Sequence, residues 1–233
     1  MATTSFAQHG LVRIAYELSG EGETVFVMLH GLLSDRVALR PLADALADDA
    51  SVIMIDLRGH GGSSAIHGVD LHLDDLVGDV VAVLDSAGIQ VPVQMIGIEM
   101  GAVIADRVRM IAPERVASVL RLNDPSPLLA DRDTLLAIAD RAYKGQTGPA
   151  VDHWLALSWG VDWQSTVPKP RIAAARRSAP ALPQMLNALA YAEVEPTPSL
   201  LIPGGTPFAD DADLERVLTE IRKPVAPATE STS

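Results

Sequence analysis

Gly97-Ile98-Glu99-Met100-Gly101 restricts the fold of this chain more than any other segment. Val91 to Ile98 (VPVQMIGI) leads into it as a short apolar run, which fits a buried parallel strand. Ala102 to Ala112 (AVIADRVRMIA) follows it and reads as a helix. Glycines at both ends of the turn let the strand and helix backbones approach closely. A sharp strand-to-helix turn is therefore expected, with the Glu99 side chain held at its apex.

The first 124 residues alternate strand and helix as a parallel sheet requires. Leu11 to Leu18 reads as an early, edge-like strand, and Glu21-Gly22-Glu23 as a turn. Val25 to Leu29 and Ser51 to Ile55 read as buried strands, with Pro41 to Ala47 a helix between them. Leu71 to Ala87 carries Leu73, Leu76, Val77, Val80, Val81 and Leu84 on one helical face. Val116 to Leu122 is a further strand, closed by Asn123-Asp124-Pro125.

From about Leu128 to Ala192 only helices are expected: Leu135 to Ala142, Ala150 to Trp159, Ile172 to Arg177 and Gln184 to Tyr191. A helical block inserted after such a series reads as a cap over the sheet. Leu200 to Ile202 is a last short strand. Asp213 to Arg222 is a helix with Leu214, Val217, Leu218 and Ile221 on one side, and residues 226–233 read as a disordered tail. The domain expectation is a core of 1–127 and 193–225, with 128–192 as cap.

Composition excludes several classes of function. The 233 residues contain no cysteine, so disulfides, thiolate catalysis and cysteine-ligated zinc are ruled out. A net charge of −12 argues against nucleic acid and anionic membranes as partners. No stretch approaches the roughly 20 apolar residues of a membrane span, and the N-terminus lacks signal-peptide character, so a cytoplasmic location is expected. No metal-ligand spacing and no cofactor motif appears. A small-molecule ligand or substrate is the expected partner, and oligomeric state is left open.

Three segments together resemble the α/β-hydrolase superfamily: His30-Gly31-Leu32-Leu33, Asp56-Leu57-Arg58-Gly59-His60-Gly61-Gly62-Ser63, and Gly97 to Gly101. The last is similar to that family's G-x-S-x-G nucleophile elbow, with Glu99 in the serine's place. It also resembles the G-x-D-x-G-A elbow of the epoxide-hydrolase and haloalkane-dehalogenase branch. The resemblance implies an α/β-hydrolase fold, a mostly parallel sheet flanked by helices with an inserted helical cap. It also implies an oxyanion hole from the N–H groups of Leu32 and Met100. The family's catalytic histidine lies near the C-terminus, and the six histidines here are His9, His30, His60, His67, His72 and His153. Pro203-Gly204-Gly205-Thr206-Pro207-Phe208 is similar to the family's P-G-x-G-H-F turn with Pro207 at the histidine. It matches the preceding strand and acid-bearing turn equally well. In either alignment the base is missing, so the chain is expected to be a degenerate member.

Glu99 is therefore the candidate catalytic residue. A carboxylate at a helix N-terminus is expected to be ionised. Covalent catalysis is disfavoured, because a glutamyl ester needs an activated water for its release. Acid/base work by Glu99 remains, alongside a degenerate site in which Glu99 fills the oxyanion hole. Candidate pocket residues are His30, Asp124, His153, Trp154 and Trp159. His30 and His60 read first as loop residues, and Asp124 either as an alternative acid or as a loop cap. His153 is a cap residue, either facing the pocket or merely packed. Trp154, Trp159 and Trp163 either line an apolar site or pin the cap.

Overall fold

The computed structural model describes residues 3–66, 70–123, 131–192 and 211–222. Asp124, the strand expected at 200–202, the turn at 203–208 and the tail at 226–233 lie outside the described residues.

Six strands form one sheet: β1 (Thr4–His9), β2 (Val12–Ser19), β3 (Val25–Leu29), β4 (Ser51–Ile55), β5 (Val93–Ile98) and β6 (Val116–Leu122). Their order is β1-β2-β4-β3-β5-β6, with β1, β2 and β4 paired antiparallel and β4, β3, β5 and β6 parallel. All five residues of β3 are buried, as a strand with neighbours and helices on every side requires. Alternate residues serve opposite faces. Val27, Leu29, Ile53, Ile55 and Met95 pack on one side, and Phe26, Met28, Val52, Met54 and Ile96 on the other.

Helices cover both faces. The first core contains α2 (Leu73–Ser86) and α3 (Met100–Ile111). The second contains α1 (Arg40–Leu46) and α9 (Asp211–Ile221), whose Val217 and Leu218 are buried and whose Leu214 and Ile221 pack at its margin. Between β6 and α9 run α4 (Arg132–Tyr143), α5 (Thr147–Trp159), α6 (Trp163–Thr166), α7 (Lys169–Ser178) and α8 (Leu182–Ala190). Their buried Leu135, Ile138, Trp154, Leu182 and Leu186 are continuous with the first core. Among the described residues, no helix is long and apolar enough to cross a membrane.

The early strand is not an edge. β1 lies outside it, joined by a turn at Gly10 with φ 58°. Its sequence, TSFAQH, is polar because an edge strand exposes part of its surface, and so it lacked the apolar signature of the inner strands.

Two ionic clusters tie the loops to this frame. Arg58 grips Asp79 on α2 through two 2.6 Å bonds, and His9 Nδ1 lies 2.8 Å from the same carboxylate. Arg36 pairs with Asp56, and Arg40 holds Glu17 through bonds of 2.5 and 2.7 Å. Asp79→Ala would strand the largely buried Arg58 guanidinium. It is expected to lower the unfolding free energy by about 3–5 kcal/mol in urea titration. A loss under about 1 kcal/mol would show that Arg58 finds water instead.

Candidate functional site

The elbow forms at Glu99. β5 ends at Ile98, α3 starts at Met100, and Glu99 between them has φ 48° and ψ −110°. A side chain at Gly97 would overlap the backbone of Gly101 and Ala102, and one at Gly101 would overlap the carbonyl of Leu29. The glycines thus let α3 start directly against β3. The three non-glycine residues with positive φ among the described residues are Leu33, Glu99 and Asn123. Each follows the C-terminal end of one of three neighbouring parallel strands, β3, β5 and β6. Such conformations cost on the order of 1–3 kcal/mol each and collect at functional sites. In open α/β sheets, ligands bind at this end of the strands.

Two buried imidazoles lock the adjoining loops together. His30 Nδ1 bonds to Gly31 O (2.8 Å), and its Nε2 accepts the N–H of Leu57 (3.0 Å). His60 Nδ1 bonds to Arg58 O (3.0 Å), and its Nε2 accepts the N–H of Leu33 (3.1 Å). Each ring therefore carries its proton on Nδ1 and pins the other's loop. Burial lowers the pKa of both. For His60, burial and then the neighbouring His30 push it down to about 3. With both nitrogens engaged and no charge carried, neither histidine can serve as the base.

Glu99 departs from expectation. The residue is only 9% exposed, and its side chain makes no capping bond to α3. Its Oε2 lies 2.8 Å from where a Cβ on Gly31 would stand, so the carboxyl is turned over the Gly31 backbone. It has no hydrogen-bond partner among the described residues, and neither the N–H of Leu32 nor that of Met100 has a protein acceptor there. Burial therefore dominates over the helix terminus and pushes the carboxyl up to about 7. The readily ionised carboxylate expected from sequence is corrected on this point.

The carboxyl faces a cavity of about 30 Å³ lined by His30, Gly31, Leu32, Ser34, Ala38, Ile98, Glu99, Trp159 and Arg171. Of the residues expected from sequence, Glu99, Leu32, His30 and Trp159 come together here. Met100 is buried beside them at the first position of α3. Trp154 does not join them. It is 2% exposed within the apolar core, where its ring pins the helices. His153, half-buried on α5, is not among the residues that line the cavity. Arg171 was not anticipated. It comes from the first turn of α7, its guanidinium lies 5.8 Å from the centre of the Trp159 ring, and burial lowers its pKa against the opposing pull of Asp35. No local pattern marks it, because its partners are more than ten residues away along the chain.

A sequence profile described as alpha/beta hydrolase fold matches residues 24–191. The chain belongs to this family. Among curated relatives, the dihydrolipoyllysine-residue acetyltransferase component of the acetoin cleaving system of Pseudomonas putida is 39% identical over 105 residues, 45% of this chain and 28% of the relative. Human epoxide hydrolase 4 is 32% identical over 118 residues, 50% of this chain and 32% of the relative. The chain thus matches only about a third or less of the length of these relatives. Among solved structures, an alpha/beta hydrolase from Sphaerobacter thermophilus superposes with a TM-score of 0.67 at 24% identity, covering 94% of this chain and 87% of that one, and shows the shared fold.

The raised Glu99 pKa has a stability consequence. The folded state binds this proton more tightly than the unfolded chain, whose glutamate titrates near 4.5. Its contribution is full below pH 4.5 and is lost as pH rises through about 7. Glu99→Gln, which cannot ionise, should therefore gain stability relative to the native chain between pH 4.5 and 8, by about 3 kcal/mol in total. Urea midpoints across that range measure the difference, and a pH-independent difference would contradict it. The histidines act in the opposite sense: their lowered pKa values withdraw stability as pH falls below about 6.5.

Proposed function

We propose that this chain is a hydrolase-type enzyme acting on a compact, mostly apolar molecule, with Glu99 as a general base rather than a nucleophile. The observation that carries this reading is the buried carboxyl, without a hydrogen-bond partner among the described residues, held in a strained elbow beside the cavity. A group poised to exchange its proton near neutral pH suits acid/base work. In this reading Glu99 takes a proton from a water as its oxygen attacks the electrophilic carbon. The N–H groups of Leu32 and Met100 receive the charge that develops on the substrate oxygen. Glu99 then returns the proton to the leaving oxygen. A glutamyl ester is disfavoured because His30 and His60 have no free ring nitrogen with which to activate the water that would release it. The helices α4 to α8 would act as the cap, placing Trp159 and Arg171 over the site. Because one relative is named as an epoxide hydrolase, epoxides are the first substrates to test, with short esters beside them.

A second reading is a catalytically inactive homologue that binds a ligand or partner. The cavity volume favours it, since about 30 Å³ admits only a water or two as it stands.

One comparison separates these readings. A panel of epoxides, short acyl esters and lactones should yield turnover that rises with pH through about 7, as Glu99 loses its proton. Glu99→Gln should lower it at least a hundredfold. Unchanged turnover in that variant rules out Glu99 as the base, and no turnover on any class favours the binding protein.

Serine-type chemistry should also be missing. A serine-directed organophosphonate should not label the protein, and Glu99→Ser should recover little aryl-ester cleavage, because an unassisted hydroxyl is a weak nucleophile. Brisk cleavage by that variant would reveal a base among residues other than His30 and His60.

A further inference from the structure

The cavity beside Glu99 brings together two buried polar groups of opposite character. Leu32, on the loop after β3, is 5% exposed, and its N–H has no protein acceptor among the described residues. The two N–H groups that follow are paired, that of Leu33 with His60 Nε2 (3.1 Å) and that of Ser34 with Gly31 O (3.2 Å). Glu99 Oε2 approaches the same loop, 2.8 Å from where a Cβ on Gly31 would stand, and the carboxyl bonds to no donor among the described residues. Leu32 and Glu99 line one cavity of about 30 Å³, with Ala38 and Ile98 in its apolar wall. Buried backbone N–H groups are almost always bonded, and a buried carboxyl without a bond is costly.

From this juxtaposition we infer that the cavity is a binding site for a single ordered water, which accepts the N–H of Leu32 and bonds to the carboxyl of Glu99. The volume suits it, since a water needs at least about 10–15 Å³ of such space and two or more polar partners. The chemistry is selective as well. A halide ion would accept the N–H but meet the carboxyl oxygen lone pair to lone pair. A metal cation would suit the carboxyl but oppose the N–H. Water both accepts and donates, so it turns to accept from the carboxylic acid or to donate to the carboxylate. One such bond does not replace the hydration of an exposed carboxylate, and burial still raises the Glu99 pKa. The site itself stands apart from catalysis, and only its use rests on reading Glu99 as the base. On that reading the water is the proton partner of Glu99 in the substrate-free protein. It marks the place that a substrate oxygen takes beside the N–H of Leu32, one oxygen atom exchanging for another.

Water–amide cross-relaxation in the ¹⁵N-labelled full chain at pH 6 tests this. The Leu32 amide proton should show a rotating-frame cross-peak to water, opposite in sign to the diagonal, which proton exchange does not give. Ser34→Ala and Glu99→Gln should both keep it, because neither the Ser34 hydroxyl nor an acidic proton relays the signal, and glutamine still offers a carbonyl. Ala38→Val adds two methyl groups to the cavity wall and should abolish it. The Glu99 midpoint should then rise above its native value, because the carboxylate has lost a donor. Val37→Ala, on the same turn but outside the cavity lining, should change neither. Thermal melts establish that each variant is folded. No cross-peak in the native chain, loss of it in Ser34→Ala or Glu99→Gln, or a cross-peak retained or a midpoint unchanged in Ala38→Val each overturns the inference. Turnover of Glu99→Gln separates it from the catalytic reading. If the cross-peak is present and that variant keeps full turnover, the base role fails and the water site stands. If the native chain lacks the cross-peak and that variant loses turnover, the water site fails and the base role stands.

Discussion

The arrangement around Glu99 depends on one close approach, that of Gly101 to the end of β3. Any side chain at Gly101 would meet the carbonyl of Leu29, and one at Gly97 would meet the first turn of α3. With both positions bare, α3 begins where β5 stops, and the residue between them is driven to positive φ. The apex residue must then sit above the sheet beside the loop that follows β3. His30 and His60 hold that loop by exchanging bonds with Leu57 and Leu33 across 27 residues of chain. Packing thus defines the turn, and hydrogen bonds define the loop beside it.

The consequence is electrostatic. Leu32 and Ile98, which line the cavity with Glu99, are nearly inaccessible to solvent, and the Glu99 carboxyl makes no capping bond to α3. Desolvation acts on the ionised form alone, so the pKa rises. The same burial acts in the opposite direction on the imidazoles and keeps them neutral. One low-dielectric region therefore contains two bases switched off by hydrogen bonding and one acid brought near neutrality. On the proposed reading, this division makes Glu99 the proton-transferring group of the site.

Much of the sheet was legible because buried strands carry an unbroken apolar signal. β3, β4 and β6 fall where Val25 to Leu29, Ser51 to Ile55 and Val116 to Leu122 were read. β1 was missed because a polar edge strand has no such signal, and α6 because a single turn has no period. The elbow was legible because glycine spacing reports backbone contact. The charge state of Glu99 was not, because a motif places the Cα but not the direction of the side chain. The carboxyl turned over Gly31 rather than onto the helix N–H groups. The same limit applied in the helical segment. Trp154 and Trp159 stand five residues apart on α5, one packed into the core and one on the cavity, and Arg171 joins the second only through the folding of α5 against α7.

The central claim is that Glu99 is a buried carboxyl, unpartnered among the described residues, rather than an anion satisfied by the oxyanion frame. It is tested most directly by titrating the Glu99 side-chain carboxyl through its ¹³C chemical shift, with Glu99→Gln assigning the resonance. The account predicts a midpoint near 7. A midpoint at or below the ordinary 4.5 would show the carboxylate bonded by the N–H groups of Leu32 and Met100, and would contradict it.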